Sequence, residues 1–448
     1  MTQKILIIGG VGGGATVAAQ IRRDNQDAEI IIFEKGEYIS FSNCGMPYYI
    51  GNKIPNREDI LYATGDFQAK YQVDVRVHAE VTAIQRTTKE IEYRQDSQIH
   101  TESYDTLILS PGASAVAPSF NGMDMKRTFC LHSIPDMDAI HSFIEQEKPT
   151  SAAIIGAGFI GLEMVENLYS KGIDCTLIDQ SSQVMNIVDS DMAQMIEDHL
   201  KKNNVTVVLN DALYYFSNQG QTLHLNGGTS IQADMTILAI GVKPNTKLAE
   251  DASLAIGDTG AIKVNAFMQT NDPNIYALGD VVETKDAIID IPRNIALAGP
   301  AHRQAFIIAS HIKGQQIPYK GTLGSNILKL FDLTIGSTGL NTDRLKSLNR
   351  DYETATLKTM SNASYYPGSG EIWLKVLFSK QDGKIYGAQV VGFAGVDKRL
   401  AVLATAIKGN LTVTDLPELE LAYAPPYSSP KDPINVLGYK ASSKLEEK

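Results

Sequence analysis

Two glycine-rich turns, each set between an apolar strand and a helix, constrain this chain more than any other feature. In the first, Lys4-Ile5-Leu6-Ile7-Ile8 reads as a strand, Gly9 to Gly14 as a tight turn and Ala15 to Arg23 as a helix. A second strand over Glu29 to Phe33 then ends at Glu34. In the second, Ala152-Ala153-Ile154-Ile155 leads into Gly156-Ala157-Gly158-Phe159-Ile160-Gly161, with Glu163 just behind, and the strand from Cys175 to Ile178 delivers Asp179 eighteen residues after Gly161. In a βαβ unit of this kind the glycines let the backbone approach a pyrophosphate. The helix N-terminus directs its unbonded N–H groups at it, and the acid after the second strand accepts ribose hydroxyls. Gly9, Gly14 and Glu34 take those roles in the first unit; Gly156, Gly158, Gly161 and Asp179 take them in the second. Val11 stands where the first turn would have its middle glycine, so that turn signals little without its strand and helix. Two complete units predict an α/β chain that binds two dinucleotides.

At 448 residues the chain exceeds what one hydrophobic core usually organises. A net charge of −11 argues against binding nucleic acid or an anionic membrane, since phosphate surfaces attract a basic field. Ile5 to Ile21 is apolar, but it carries five glycines and no basic leader, which is not the pattern of a signal peptide. No stretch reaches eighteen uninterrupted apolar residues, so no membrane span is expected. Three scattered cysteines supply no disulfide framework and suit a reducing, cytoplasmic setting. No metal site is read from the sequence. The short charged tail, Lys440 to Lys448, is expected to fray.

Asp179 also bears on which nicotinamide is used. A carboxylate there accepts the adenosine ribose hydroxyls of NAD and repels the 2′-phosphate of NADP, and Gln180 follows where an NADP site usually has an Arg. NADH is the expected donor, with NADPH possible.

Cys44 is the candidate for chemistry. It lies in Ser40-Phe41-Ser42-Asn43-Cys44-Gly45-Met46-Pro47, and no second cysteine stands within eighty residues of it, so an internal C-x-x-C disulfide is excluded. Its sulfur must therefore pair with something external, a small-molecule thiol or an oxygen atom; the competing reading is a small packed hydrophobe. A helix over Pro47 to Ile50 would favour the thiolate by its N–H groups. Cys130 has no such setting, and Cys175, in an apolar strand, is expected only to pack.

Downstream, Thr270 to Asp280 is an apolar strand ending in Gly279-Asp280. It resembles the second FAD motif of flavoproteins with two dinucleotide folds, in which the Asp bonds the ribityl chain. Asp105 to Gly112 and Met235 to Pro244 resemble the two segments by which such chains enter and leave the NADH domain. With these motifs the chain resembles the pyridine nucleotide-disulfide oxidoreductase family over nearly its whole length. Within it the Ser-Phe-Ser-Asn-Cys segment is similar to the single-cysteine branch, which holds coenzyme A disulfide reductases, NADH oxidases and peroxidases, and persulfide reductases. The resemblance implies two Rossmann-like dinucleotide-binding domains and a C-terminal α+β dimerisation domain. An FAD domain is placed at 1–115 and 245–320, an NAD(P)H domain at 116–244, and an interface domain at 321–448.

Oxidases and peroxidases of the branch carry a His in the first glycine turn; here Gly9 to Gly14 has none, and the following Ala15 to Arg23 resembles the coenzyme A disulfide reductases. Leu421-Ala422-Tyr423-Ala424-Pro425-Pro426-Tyr427-Ser428-Ser429-Pro430-Lys431-Asp432-Pro433 is similar to their terminal motif. The family implies a homodimer in which this segment reaches the partner's flavin and cysteine. Tyr365 and Tyr423 best match the paired active-site tyrosines, and Tyr366 and Tyr427 lie near enough to leave the choice open.

Coenzyme A needs local cations on an acidic protein. Gln20 and Arg23, at i and i+3, can share a face, whereas Arg22 is expected to be a surface charge. The resemblance extends coenzyme A contacts to Thr16, Ser40, Asn43, His302 and Lys431, with Lys70 a looser match. The implied reaction reduces coenzyme A disulfide with NADH, through FAD and Cys44. Reduction of coenzyme A persulfide or polysulfide is the alternative, which a rhodanese module after residue 448 would favour. NADH oxidase or peroxidase activity, and a redox-sensing flavoprotein without fast turnover, rank behind it.

Overall fold

The structure, a computed structural model, describes residues 3–446. The chain divides into two compact units. One takes the chain through Val116 together with His132–Asp138 and Val242–Thr322; the other takes Ala117–Leu131, Ala139–Gly241 and the chain from Leu323 onward.

The first unit is built on a five-stranded parallel sheet. Its order is Ile275–Ala277, Thr106–Leu109, Lys4–Ile8, Glu29–Phe33 and Asp74–Arg76. The strands KILII and EIIIF are near-continuous β-branched runs because a parallel sheet is covered on both faces. Ile5, Leu6, Ile7 and Ile32 are fully buried. The helix Gly13–Asp24 returns from the first strand to the second. An antiparallel meander, Glu80–Gln85, Glu90–Gln95 and Gln98–Ser103, precedes the strand Thr106–Leu109. Ala113–Ala115 and Val242–Pro244 pair antiparallel, joining the two segments that bracket the intervening chain.

The second unit repeats this plan. Its parallel sheet runs Thr206–Val208, Asp174–Ile178, Ser151–Ile155, Met235–Leu238 and Thr128–Phe129, and a three-stranded meander, Leu213–Ser217, Thr222–Leu225 and Ser230–Gln232, precedes Met235. The same unit holds an antiparallel sheet in the order Asn326–Leu330, Leu333–Gly339, Ile385–Gly392, Glu371–Phe378 and Glu353–Met360. The helices Val396–Lys408 and Pro433–Glu446 pack on this sheet.

Ala117–Leu131 and Ala139–Gly241 share one unit with the chain from Leu323 onward, and a buried polar joint links them. Asp189, which precedes the helix Ser190–Lys202, accepts from Thr342 N at 2.8 Å and Thr342 Oγ1 at 2.7 Å. It pairs with Lys375 Nζ at 2.8 Å, and its own N–H donates to Gln389. His132–Asp138 joins the first unit through Arg57, which holds both oxygens of Asp138 at 2.8 Å.

Two expectations are corrected. The charged tail does not fray: the last helix continues through it to Glu446, with Ala441 fully buried and Lys444 Nζ donating to Thr354 O at 2.7 Å; residues 447 and 448 lie outside the described residues. Arg22 is not a surface charge. It is 8% exposed, and its guanidinium donates to the carbonyls of Tyr71, Asn25, Gln26, Ala28 and Gln72. Adjacency to Arg23 does send it the other way, but that way is inward, onto carbonyls at the end of its own helix and of Thr64–Tyr71.

Candidate active site

The two glycine turns share one construction. Gly9 has φ +96°, and a Cβ on it would lie 2.1 Å from Ser110 O; Gly156 has φ +106° and would meet Ala239 O at 2.3 Å. A Cβ on Gly14 would lie 1.8 Å from Gly9 O, and one on Gly161 would lie 1.9 Å from Gly156 O, so both helices press directly on their turns. Gly158 has an extended φ of −85° and nothing within 4 Å of its missing Cβ. The backbone there accepts an L residue, which explains why Val11 can occupy the matching place.

Each turn is closed by its acid. Glu34 accepts from Gly10 N at 2.9 Å and Gly36 N at 2.8 Å; Asp179 accepts from Ala157 N at 2.6 Å and Ser181 N at 2.7 Å. A carboxylate offers about four lone-pair sites, so each retains capacity for ribose hydroxyls. Asp280 lies in the turn Gly279–Val281, which Gln304 and Asn294 fasten through Gly279 N and the carbonyls of Asp280 and Val282. Burial pushes its carboxyl above the usual range while His132 draws it down, and no hydrogen bond to that carboxyl is found among the described residues. A desolvated acceptor at the end of the first sheet, beside an open glycine turn, fits a polyhydroxylated dinucleotide such as FAD.

The chain after Glu34 carries Cys44 toward the same turn. Ser40, at φ +49°, donates its N–H to Gly10 O at 3.0 Å, and Ser42 N donates to Ile60 O at 2.8 Å. Cys44 is exposed within the single 3₁₀ turn Asn43–Gly45, which runs into the helix Met46–Ile50. Asn43 Nδ2 donates to the carbonyl of His132, the residue whose charge draws the Asp280 carboxyl down. None of the three cysteines forms a disulfide with another. Cys175 is buried, and burial raises its thiol pKa to about 12, in keeping with a packing role.

Of the residues singled out for coenzyme A, the first unit brings together two pairs. Thr16 Oγ1 lies 2.9 Å from His302 Nδ1, and Arg23 Nη1 donates to Gln20 Oε1 at 3.1 Å, all along the exposed side of the first helix. Lys70 is fully exposed over the rings of Tyr71 and Tyr62, whose hydroxyls raise its pKa. Lys431 belongs to the second unit and sits over Tyr439.

In that unit Tyr365 and Tyr423 come close enough for the Tyr365 hydroxyl to raise the pKa of Tyr423. Tyr427 is exposed and held by its main chain, its carbonyl accepting from Lys398 Nζ. The sequence reading passed over Arg57, which anchors 132–138, and Arg399, which underlies the Tyr365 loop; nothing in their flanking residues marks either. For Glu163, burial first and then Glu166 raise the carboxyl pKa to about 7.

A chain that presents sulfur beside one nucleotide fold and repeats that fold elsewhere is organised to move electrons between nucleotides and a thiol: it is by class an oxidoreductase. The profile of the "pyridine nucleotide-disulphide oxidoreductase" family matches residues 3–305, and that of its dimerisation domain matches 326–432. The chain belongs to this family of FAD-dependent, nicotinamide-using enzymes. It is 42% identical over 442 residues to a coenzyme A disulfide reductase of Staphylococcus epidermidis, which covers 98% of this chain and 99% of the relative. Among solved structures, reduced CoADR-RHD from Bacillus anthracis has a TM-score of 0.98 at 47% identity, covering 100% of this chain and 81% of that one. A NAD-dependent persulfide reductase from A. fulgidus has a TM-score of 0.96 at 33% identity, covering 99% and 84%.

Proposed function

We propose that this protein reduces coenzyme A disulfide to two coenzyme A thiols, with NADH as donor and Cys44 as the redox sulfur. The observation that carries the reading is an exposed Cys44 whose segment is bonded to the first glycine turn through Ser40 N and Gly10 O, on the unit whose first helix displays Thr16–His302 and Gln20–Arg23. The likeness over 98% of the chain to relatives named coenzyme A disulfide reductase supports the substrate class.

Gly9, Gly14, Glu34 and Asp280 would hold FAD, which supplies the two-electron relay between nicotinamide and sulfur. Gly156, Gly158, Gly161 and Asp179 would hold the nicotinamide nucleotide, with the charge of Asp179 favouring NADH. Cys44 rests as a mixed disulfide with coenzyme A. Two electrons break that S–S bond, leaving a Cys44 thiolate and a coenzyme A thiolate. The Cys44 thiolate attacks a coenzyme A disulfide, restoring the mixed disulfide and expelling a second thiolate. Tyr423, beside Tyr365, donates the proton that the departing thiolate needs, with Tyr427 the alternative donor. Thr16, Gln20, Arg23, Ser40, Asn43, Lys70, His302 and Lys431 bind coenzyme A. The protein acts as a homodimer with composite sites, in keeping with the dimerisation-domain match. The division into FAD (1–115, 245–320), NAD(P)H (116–244) and interface (321–448) domains is the functional one. Three cysteines without a disulfide among them support a reducing, cytoplasmic location. No helix among the described residues is long and apolar enough to cross a membrane.

The test is anaerobic denaturation of the yellow holoenzyme with mass analysis of the thiol released on reduction, followed by turnover of coenzyme A disulfide with NADH by parent and Cys44→Ser. Stoichiometric coenzyme A, rapid turnover by the parent and none by Cys44→Ser are expected. Retained turnover in Cys44→Ser removes the sulfur from the mechanism. The persulfide reductase likeness favours a second reading, reduction of coenzyme A persulfide at the same sulfur; faster turnover of persulfide than of disulfide would establish it instead.

A further inference from the structure

The two loops that carry Tyr365 and Tyr423 are fastened to one buried guanidinium. Arg399, on the helix Val396–Lys408, is 1% exposed. Its Nη2 donates to Ser361 O at 2.7 Å, at the start of the Tyr365 loop. The same nitrogen and Nε reach the tail that carries Tyr423, at Asp432 Oδ2 (2.9 Å) and Oδ1 (3.2 Å), with Ser428 Oγ at 3.4 Å. Ser428 Oγ in turn donates to Asp432 Oδ2 at 2.6 Å.

Around this fork the loops bond directly. Ala363 N donates to Pro425 O at 3.3 Å and Ser428 O at 3.1 Å, and Asn362 Nδ2 donates to Pro425 O at 3.2 Å. Nη1 turns back to Gly395 O at 3.1 Å; Gly395 has φ +67°, and a Cβ there would lie 2.3 Å from that nitrogen. The helix start is therefore shaped to admit the guanidinium.

We propose that Arg399 and Asp432 are positioning residues for the reaction: by joining the 361–370 loop to the 423–432 tail they hold Tyr365 and Tyr423 side by side for proton donation. This inference rests on the reading of those tyrosines as the proton source. The physical case is that a buried ion pair adds little net stability compared with an apolar filling, while its geometry is exacting. Only a planar fork can grip a carboxylate with two nitrogens and a carbonyl beside it, and lysine cannot reproduce that. The tyrosines themselves are exposed, Tyr365 76% and Tyr423 45%, so their alignment depends on what fixes their loops.

The experiment is a double-mutant cycle on flavin-loaded dimer. Arg399→Lys and Asp432→Asn are each made in the parent and in Tyr365→Phe/Tyr423→Phe, and kcat and KM for coenzyme A disulfide are measured. The tyrosine pair's removal is expected to lower kcat about a hundredfold. Arg399→Lys in the parent is expected to lower it about tenfold with KM little changed, and to cost less than about twofold in the tyrosine-free background, because the geometry it protects is already gone. Equal losses in both backgrounds, or an unchanged kcat in Arg399→Lys, overturn the proposal. If Tyr365→Phe/Tyr423→Phe turns over like the parent, the tyrosine reading itself falls, and the positioning role with it. Should Arg399→Lys fail to fold, Ser428→Ala keeps the ion pair and removes only its bridging hydroxyl. It is expected to give a smaller loss with the same non-additivity, and an additive loss there counts against the proposal.

Discussion

Replacing Glu163 with glutamine should abolish a defined pH dependence of stability. Glu163 lies two residues behind Gly161 on the helix Phe159–Tyr169, and burial, reinforced by Glu166, raises its pKa from 4.5 to about 7. Below pH 4.5 the side chain is protonated in both folded and unfolded chains and the shift has no effect. Between 4.5 and 7 the folded chain binds the proton that the unfolded chain has released, so stability falls with rising pH and levels off above 7. A displacement from 4.5 to about 7 corresponds to about 3 kcal/mol at 1.36 kcal/mol per unit. Glu163→Gln keeps the volume and removes the ionisation. Urea unfolding of the holoenzyme, followed by circular dichroism, should therefore show a variant-minus-parent free-energy difference that rises by about 3 kcal/mol, in favour of glutamine, between pH 4.5 and 8. A difference that stays constant over that range would refute the reasoning, because it would mean that the carboxylate is solvated in the folded protein.

Arg22→Ala and Arg23→Ala should separate folding from substrate binding. The first strips five carbonyls of a buried donor and should destabilise the first unit by at least about 3 kcal/mol in denaturant titration, whereas the second should change stability by less than about 0.5 kcal/mol. Arg23→Ala should instead raise KM for coenzyme A disulfide more than it lowers kcat, and unchanged kinetics would remove Arg23 from the site. Asp179→Ala should shift the ratio of kcat/KM for NADH over NADPH toward NADPH by about tenfold or more in steady-state assays. An unchanged ratio would locate cofactor choice elsewhere.

The βαβ units were legible because their physics is local. Runs such as KILII and EIIIF can be only buried strands, and Gly14 and Gly161 are fixed by a helix pressing on the carbonyl five residues earlier. What stayed hidden depends on partners distant in sequence. Arg22 reads as one of two adjacent helix-end cations, and only the turn at Tyr71–Gln72 makes it a buried clamp. The tail reads as charged and short, yet its lysines lie along the strand Glu353–Met360 and Ala441 faces the core. Family resemblance pointed to Tyr365 and Tyr423 together, but no spacing in the chain says that their loops are bonded to each other, and nothing near Arg399 shows that it joins them. The segment His132–Asp138 was placed with its sequence neighbours, because the pull of Arg57 on Asp138 acts across eighty-one residues.

The closure of each glycine turn by its own acid gives those acids two duties that cannot be altered independently. On the proposed reading Asp179 discriminates by charge, and it also supplies the acceptor that keeps Ala157 N in place. A mutational route from NADH to NADPH therefore passes through a loosened turn, in which affinity for either nucleotide suffers before the new preference is established. Asparagine at this position could preserve the acceptor while removing the charge, and alanine could not. Glu34 carries the same double duty at Gly10. In both halves of the molecule the residue most exposed to selection for a different cofactor is thus the one least free to drift.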